Sequence, residues 1–368
     1  RETVAVGIGL PDADDSAPKT NQVSADNLTE DDVARLFAGT YGGALRYCHS
    51  TGAWFDWADT HWRRNETGLA AHYVRLIARD LSVGHKAKTK AAVRKRSFSS
   101  GVETFARNDP TFAVTITAWD SDPFLLGTPD GTVDLRTGKM RRADPADGVT
   151  KLTAVAPSVQ ADCPLWLKFL DESTGGDTEL VRFLQQWCGY CLTGDTREHA
   201  LVFVHGDGGN GKSVFLNTVA HILADYATTA SMDTFVASRN DRHPTDLAML
   251  RGARLVTASE TEEGRAWAES RIKQMTGGDP ITARFMRQDF FTFQPQFKLF
   301  IVGNHQPALH SVDAAARRRF NIVPFTRKPV KPDRELEAKL RGEAPAILRW
   351  MIAGCMDWQT NGLVRPAS

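Results

Sequence analysis

The sequence has almost no net charge: 45 lysines and arginines stand against 44 aspartates and glutamates in 368 residues. A global positive field is therefore excluded, and any grip on a polyanion must come from local basic clusters. No apolar run reaches the roughly 18 to 20 residues of a membrane helix, so a soluble, cytoplasmic chain with no membrane partner is expected. Cysteine is scarce and odd in number, with Cys48, Cys163, Cys188, Cys191 and Cys355 scattered along the chain, which favours a reducing compartment over a disulfide framework. There is no internal repeat and no initiator methionine. With Arg1 at the start and a linker-like "NGLVRPAS" at the end, a piece of a longer protein is expected.

One cysteine pair needs a closer reading. "WCGYC" at 187–191 has redox spacing, but it closes a segment in which Leu180, Phe183, Leu184 and Trp187 recur at helical spacing. Both sulfurs then fall near a helix C-terminus, which disfavours a thiolate. Packed core cysteines are expected, with redox or metal chemistry as the alternative. A zinc site would need two further ligands, and only His199 is near.

What the sequence does contain changes character along its length. Residues 1–27 mix Asp, Ser, Pro and Gly without apolar periodicity and suit a flexible acidic linker. Structure is expected to begin at "NLTEDDVARLF", with Thr29 as N-cap and Val33, Leu36 and Phe37 as an apolar stripe. "LRYCHSTGAWFDWADTHWRR" reads as a small hairpin, "GLAAHYVRLIARDLSVG" as an amphipathic helix, and "FLLGTPDGTVDLRTGKM" as short strands joined by Asp-Gly and Thr-Gly turns. Helices resume at "DCPLWLKFLDE". After residue 195, "ALVFVHG", "GKSVFLNTVAHILADY", "ARLVTASE", "RAWAESRIKQMTGG" and "FKLFIVGN" alternate strand and helix, the rhythm of a parallel sheet with crossover helices.

The decisive local signal is Gly206-Asp207-Gly208-Gly209-Asn210-Gly211-Lys212-Ser213, followed by Val214. It satisfies G-x-x-x-x-G-K-[ST] and lies between an apolar strand, Leu201 to Val204, and an apolar helix. Glycines let successive amides turn toward phosphate oxygens, the helix start adds positive potential, Lys212 brings a cation to the β and γ phosphates, and the Ser213 hydroxyl can ligate Mg²⁺. ATP with Mg²⁺ is the expected ligand pair. "ARLVTASE" ends in Glu260, the candidate Walker B acid and second metal ligand; a surface glutamate at a strand end is the alternative reading.

Residues 271–304, "RIKQMTGGDPITARFMRQDFFTFQPQFKLFIVGN", resemble superfamily 3 helicases, a viral and phage branch of the AAA+ ATPases. The likeness is greatest to the helicase part of phage and plasmid primase-helicases and related enzymes of large DNA viruses. Lys273, Thr276, Gly277, Gly278 and Asp279 match that family's K-x-x-T-G-G-D block, which leads into a β-hairpin that grips DNA in a central channel. By resemblance Lys273, Arg284, Arg287 and Gln288 are candidate DNA contacts. A polar tip with Arg284 and Arg287 between aromatic arms also suits phosphate contact with stacking, physically; a solvated tip is the alternative, and core packing is the expected role of Phe285, Phe290, Phe291 and Phe293.

The resemblance further implies that Asn304 is the sensor 1 residue, with a turn asparagine as the alternative. It implies that an arginine of the block Arg317, Arg318, Arg319 reaches the γ-phosphate of a neighbouring subunit. Arg318 is favoured, then Arg319. An arginine acting in trans implies a ring, by resemblance a homohexamer, acting on single-stranded or forked DNA in the host cytoplasm. A primase or polymerase is expected as partner or as a domain outside this chain.

The expected architecture is α/β. A P-loop core of AAA+ type at 161–330 is preceded by a smaller mixed α+β domain at 28–160 and followed by a C-terminal helical lid at 331–368. The basic run Lys86, Lys88, Lys90, Arg94, Lys95 and Arg96 is either a DNA contact or a solvated helix face. Other functions compatible with the phosphate loop are a packaging motor or another P-loop ATPase, and a DNA-binding assembly ring that does not unwind.

Overall fold

The computed structural model describes residues 28–236, 245–259, 267–287, 289–304, 318–329 and 331–366. The expected linker 1–27 lies outside the described residues, as do Glu260, Gln288 and Arg317. The chain divides into two compact units, one formed by residues up to 47 and 65–113, the other by 48–64 and everything from 114 onward.

The smaller unit is helical. α1 (Glu30–Tyr41) starts where Thr29 accepts from the Asp32 amide and Asp32 accepts from the Thr29 amide, a reciprocal capping box. α2 (Leu69–Leu81), α3 (Ala87–Val93) and α4 (Arg96–Arg107) follow. α2 buries Ala70, Val74 and Ala78, and α4 buries Phe98, Val102 and Ala106, each set at steps of four that place one stripe inward. Tyr41 stacks on Tyr73 with ring centroids 4.4 Å apart. The strands β1 (Leu45–Cys48) and β4 (Ala113–Val114) fall on the junctions between the units.

In the larger unit, β2 (Ala53–Trp57) and β3 (Trp62–Arg64) form the expected antiparallel hairpin. β5 (Leu125–Thr128), β6 (Gly131–Asp134) and β7 (Lys139–Arg141) form a meander on the two expected turns. The expected boundary at 160 does not separate compact units. Leu126, Val133 and Leu135 are buried in the same apolar cluster as Trp166, Phe215 and Trp350, so the meander is part of the main core.

Five parallel strands carry that core. β8 (Leu201–His205), β9 (Ala227–Thr229), β10 (Leu255–Ser259), β13 (Lys298–Gly303) and β14 (Phe320–Pro324) lie in the order β14-β8-β13-β10-β9. β8 and β13 are near-continuous apolar runs because both faces are covered. α5 (Pro164–Thr174), α6 (Thr178–Cys191) and α7 (Lys212–Leu223) supply covering side chains, with Trp166 stacked on Phe215 at 5.3 Å. α8 (Thr245–Ala248) and α9 (Glu269–Gly277) belong to a second cluster on the other face, around Phe203, Trp267 and Ile301. The antiparallel pair β11 (Ile281–Ala283) and β12 (Phe291–Phe293) stands apart from the sheet.

α10 (Leu336–Gly342) and α11 (Ala344–Asn361) close the chain. The segment expected as a lid is instead a core element, because α11 buries Ile347, Leu348, Trp350, Met351, Ile352, Cys355 and Trp358. It lies against α6 almost backbone to backbone. A β-carbon at Gly189 would stand 2.1 Å from the Cys355 amide nitrogen, and one at Gly354 2.1 Å from the Gln185 carbonyl. All five cysteines are buried and free. Burial raises the Cys188 thiol well above its usual value and the Cys191 thiol to about 12, so this pair packs the core as expected.

Two cations are also buried. Arg254 donates to the carbonyls of Leu192 and Leu125. Lys298 donates to those of Thr193, Asp195 and Gln296. No helix of the described residues is long and apolar enough to cross a membrane.

Candidate functional site

The phosphate loop leaves the carboxyl end of β8, the strand flanked by β13 and β14. From β8 the chain crosses through α7 to β9 at the far edge, so β8 is a switch point of the topology, where open α/β sheets place their ligands. Gly206, Gly209 and Gly211 have φ of +151°, +83° and +87°. At Gly211 the space is closed as well, since a β-carbon would meet the Phe169 ring at 2.7 Å. Asp207, Gly208 and Gly209 are exposed, as is Ser213; Asn210 and Lys212 are buried, and Val214 is half-buried.

The Lys212 ammonium rests on neutral oxygens: the Gly206 carbonyl, the Asp207 carbonyl at 3.1 Å and Asn210 Oδ1 at 3.0 Å. Burial lowers its pKa, and Lys328 adds to the lowering while Asp207 opposes it. Burial also lowers the His205 pKa, with the Lys212 charge adding to it. α7 begins directly after Gly211 with no side-chain cap and no acidic residue in its first turn. A buried cation without a carboxylate partner among the described residues, beside an uncapped helix start, suits a polyanion. The residues present therefore fit a polyphosphate ligand.

Asn210 fixes the loop from the other side. Its Nδ2 donates to the Phe325 carbonyl, and the Phe325 amide donates to the His205 carbonyl at 2.7 Å. Sequence reasoning missed Phe325 because its contribution is entirely backbone.

β-sheet register aligns further candidates with the loop. Gly303 pairs with His205 and Ser259 with Val302, so Asn304, exposed directly after β13, stands on the same edge. The candidate acid Glu260 lies outside the described residues. No group of three or more His, Cys, Asp or Glu suited to a metal occurs among the described residues.

Arg318 and Arg319 are not brought to this edge. They precede Phe320, which pairs with Leu201 at the opposite end of β8. Four strand steps separate Leu201 from His205, about 13 Å. Arg319 is half-buried and donates to Thr276 Oγ1 at 3.3 Å, whereas Arg318 is exposed.

The candidate hairpin forms as expected, with Ile281, Thr282 and Ala283 paired to Phe293, Thr292 and Phe291. Its tip exposes Arg287, at φ +60°, together with Met286 and Phe290. The Arg284 guanidinium lies over the Phe290 ring at 4.6 Å. Ile281, Ala283 and Phe293 are buried core residues, and Phe285 and Phe291 pack against them, so of the four phenylalanines only Phe290 departs from the expected core role. Lys273 is half-buried on α9 and not on the hairpin.

Residues 34–175 match the family described as D5 N terminal like, and residues 204–319 match a family of unknown function (DUF5906). A protein named "Putative helicase" from Acanthamoeba polyphaga mimivirus is 26% identical over 228 residues, 61% of this chain and 23% of that protein. Another of that name from Frog virus 3 (isolate Goorha) is 27% identical over 204 residues, 54% of this chain and 19% of that protein. A "Putative primase" of African swine fever virus (isolate Tick/Malawi/Lil 20-1/1983) is 22% identical over 292 residues, 75% of this chain and 29% of that protein. The two family matches and these viral relatives are together consistent with a phage and viral primase-helicase family. The chain spans only about a fifth to a quarter of the length of the two proteins named as helicases. Among solved structures it is similar in fold to the apo C-terminal region of NrS-1, with a TM-score of 0.56 at 10% identity, over 87% of this chain and 68% of that one. The match at 204–319 begins within β8 and ends at Arg319, so it takes in the loop, the hairpin and both described candidate arginines.

Proposed function

We propose that this chain is the motor part of a DNA helicase with an AAA+ core, which hydrolyses ATP at boundaries between identical copies in a ring, by resemblance a hexamer. Lys212 and the amides of the loop hold the β and γ phosphates, Asn304 orients the attacking water, and Arg318 completes the site of a neighbouring copy. Ser213 and Glu260 would hold Mg²⁺, which when bound offsets charge on the phosphate oxygens. The hairpin, through Arg284 and Arg287, holds a single strand in the channel. Each base-pair step costs on the order of 1.4 kcal/mol to separate, a modest load for one hydrolysis. The same reading places the protein in the host cytoplasm with a primase or polymerase as co-worker.

The observation that carries the reading is the separation of the two charges. The phosphate loop and Arg318 sit at opposite ends of adjacent parallel strands. One arginine cannot serve the γ-phosphate of its own chain from there without crossing the length of β8. A second copy with its arginine edge against the first copy's loop removes the difficulty, and such a finger contributes roughly 10³ to 10⁵ in rate in related chemistry.

The test is to mix inactive variants. Lys212→Ala and Arg318→Ala should each lose ATP hydrolysis and forked-duplex unwinding, and a mixture should regain part of the hydrolysis through hybrid boundaries. Absence of rescue at every ratio overturns the trans arginine. Full hydrolysis without any strand separation would favour an assembly ring.

A further inference from the structure

The smaller, helical unit contains a basic cavity of its own, which neither the phosphate loop nor the hairpin uses. It measures about 470 Å³ and is lined by Ala71 and Arg75 of α2, Arg94 at the end of α3, and Arg96, Ser99, Ser100 and Glu103 of α4. Sequence alone places Arg94 and Arg96 in a basic run; only the packing of α2 against α4 adds Arg75 from nearly twenty positions away.

The charge in the cavity is unbalanced. Glu103, its one acid, is bound to Arg107 at 2.6 Å. Arg75, Arg94 and Arg96 have no carboxylate partner among the described residues, and all three are exposed. No acidic residue occurs between Asp80 and Glu103, a stretch that holds Lys86, Lys88, Lys90, Arg94, Lys95 and Arg96. α4 starts at this cavity with no side-chain cap and no acid in its first turn, and Ser99 and Ser100 add hydroxyl donors. The lining is polar and cationic, unlike the apolar walls that hold small organic ligands. Three guanidinium forks around one opening suit phosphate oxygens, which they can bind bidentately.

We propose that this cavity is a second nucleic-acid site, holding phosphodiester groups of a single strand independently of ATP. It does not rest on the helicase reading, since it requires neither hydrolysis nor a ring. A free nucleotide offers the same phosphate chemistry, and the experiment separates the two.

The full chain is titrated with a fluorescent oligothymidylate without nucleotide at several salt concentrations. Arg75→Ala/Arg94→Ala/Arg96→Ala should weaken binding at least tenfold and reduce the slope of log affinity against log salt by about 2, since each single-strand contact contributes roughly 0.7. Replacement of the same three residues by lysine should restore most of the slope, which a mere loss of folding would not allow. The alanine changes should act equally in an Arg284→Ala/Arg287→Ala background, so failure of this site and failure of the hairpin are read separately. Wild-type affinity and slope in the triple variant overturn the proposal. So does a triple variant that loses only binding of free triphosphate.

Discussion

Asn210 joins Lys212 to the end of β14: its Oδ1 accepts from the Lys212 ammonium at 3.0 Å while its Nδ2 donates to the Phe325 carbonyl. The residue is buried, so neither end of the amide can turn to water. Asn210→Ala leaves the Phe325 carbonyl unpaired at about 1 to 3 kcal/mol and frees the lysine. On the proposed function, ATP affinity should fall about tenfold with the fold retained. Asn210→Asp should be worse for stability, because it sets an oxygen against the Phe325 carbonyl. Nucleotide titration and thermal melting of both variants check this.

Phe290 at the hairpin tip is 60% exposed, and it carries the Arg284 guanidinium on its face. An exposed ring contributes little to the core, so Phe290→Ala should barely change thermal stability. If the tip holds single strands, loss of one stacking platform should weaken oligonucleotide binding by about 1 to 3 kcal/mol. Phe293→Ala, at a position only 8% exposed, should do the opposite: clear destabilisation, about 3 kcal/mol, from lost core volume. A pair of melting curves beside a pair of binding curves separates the two roles.

The parts legible in the sequence are those whose chemistry is local. The phosphate loop declares itself because glycines, lysine and serine are contiguous, and the Thr29 cap and the hairpin arms depend on neighbours within a few residues. What escaped reading depends on pairs far apart. The approach of Gly189 to Gly354 puts α11 in the core, whereas the segment by itself reads as a helical lid. Arg254 and Lys298 are enclosed by carbonyls of Leu125, Leu192 and Thr193, which lie about a hundred positions or more away for Lys298 and about sixty or more for Arg254. Arg75 looks like an ordinary helix surface residue until α4 lies beside it.

Lys298 tests that lesson. Its ammonium is almost fully enclosed and holds the carbonyls of Thr193, Asp195 and Gln296. Lys298→Met keeps the apolar stem and removes every donor, leaving polar groups buried without partners. The expected loss is about 3 kcal/mol, seen as a lower urea midpoint at unchanged slope. A midpoint equal to wild type would mean that water reaches these carbonyls.

Asp357 ties α11 to α6 and sets a pH limit on that contact. Its carboxylate accepts from Arg182 Nε and Nη2, each at 2.8 Å, from Gln186 at 2.8 Å and from Asn361 at 2.7 Å. The hydrogen bonds from Arg182 lead in lowering its pKa to about 2, against the opposing effect of burial. The unfolded chain, with a carboxyl near 3.8, then binds more protons than the native one between about pH 4 and 2, so stability drops as pH is lowered across that window. The contribution is complete above pH 4 and is lost as pH passes down through 2. A shift of this size corresponds to more than 2 kcal/mol in full, but the pair is partly exposed and screened, so about 1 kcal/mol is expected. Asp357→Asn should therefore be less stable than wild type by about that amount at pH 7, and the difference between the two urea midpoints should shrink steadily from pH 4 to pH 2. A difference that stays constant over the window would mean that packing of the side chain, not its charge, makes the contribution.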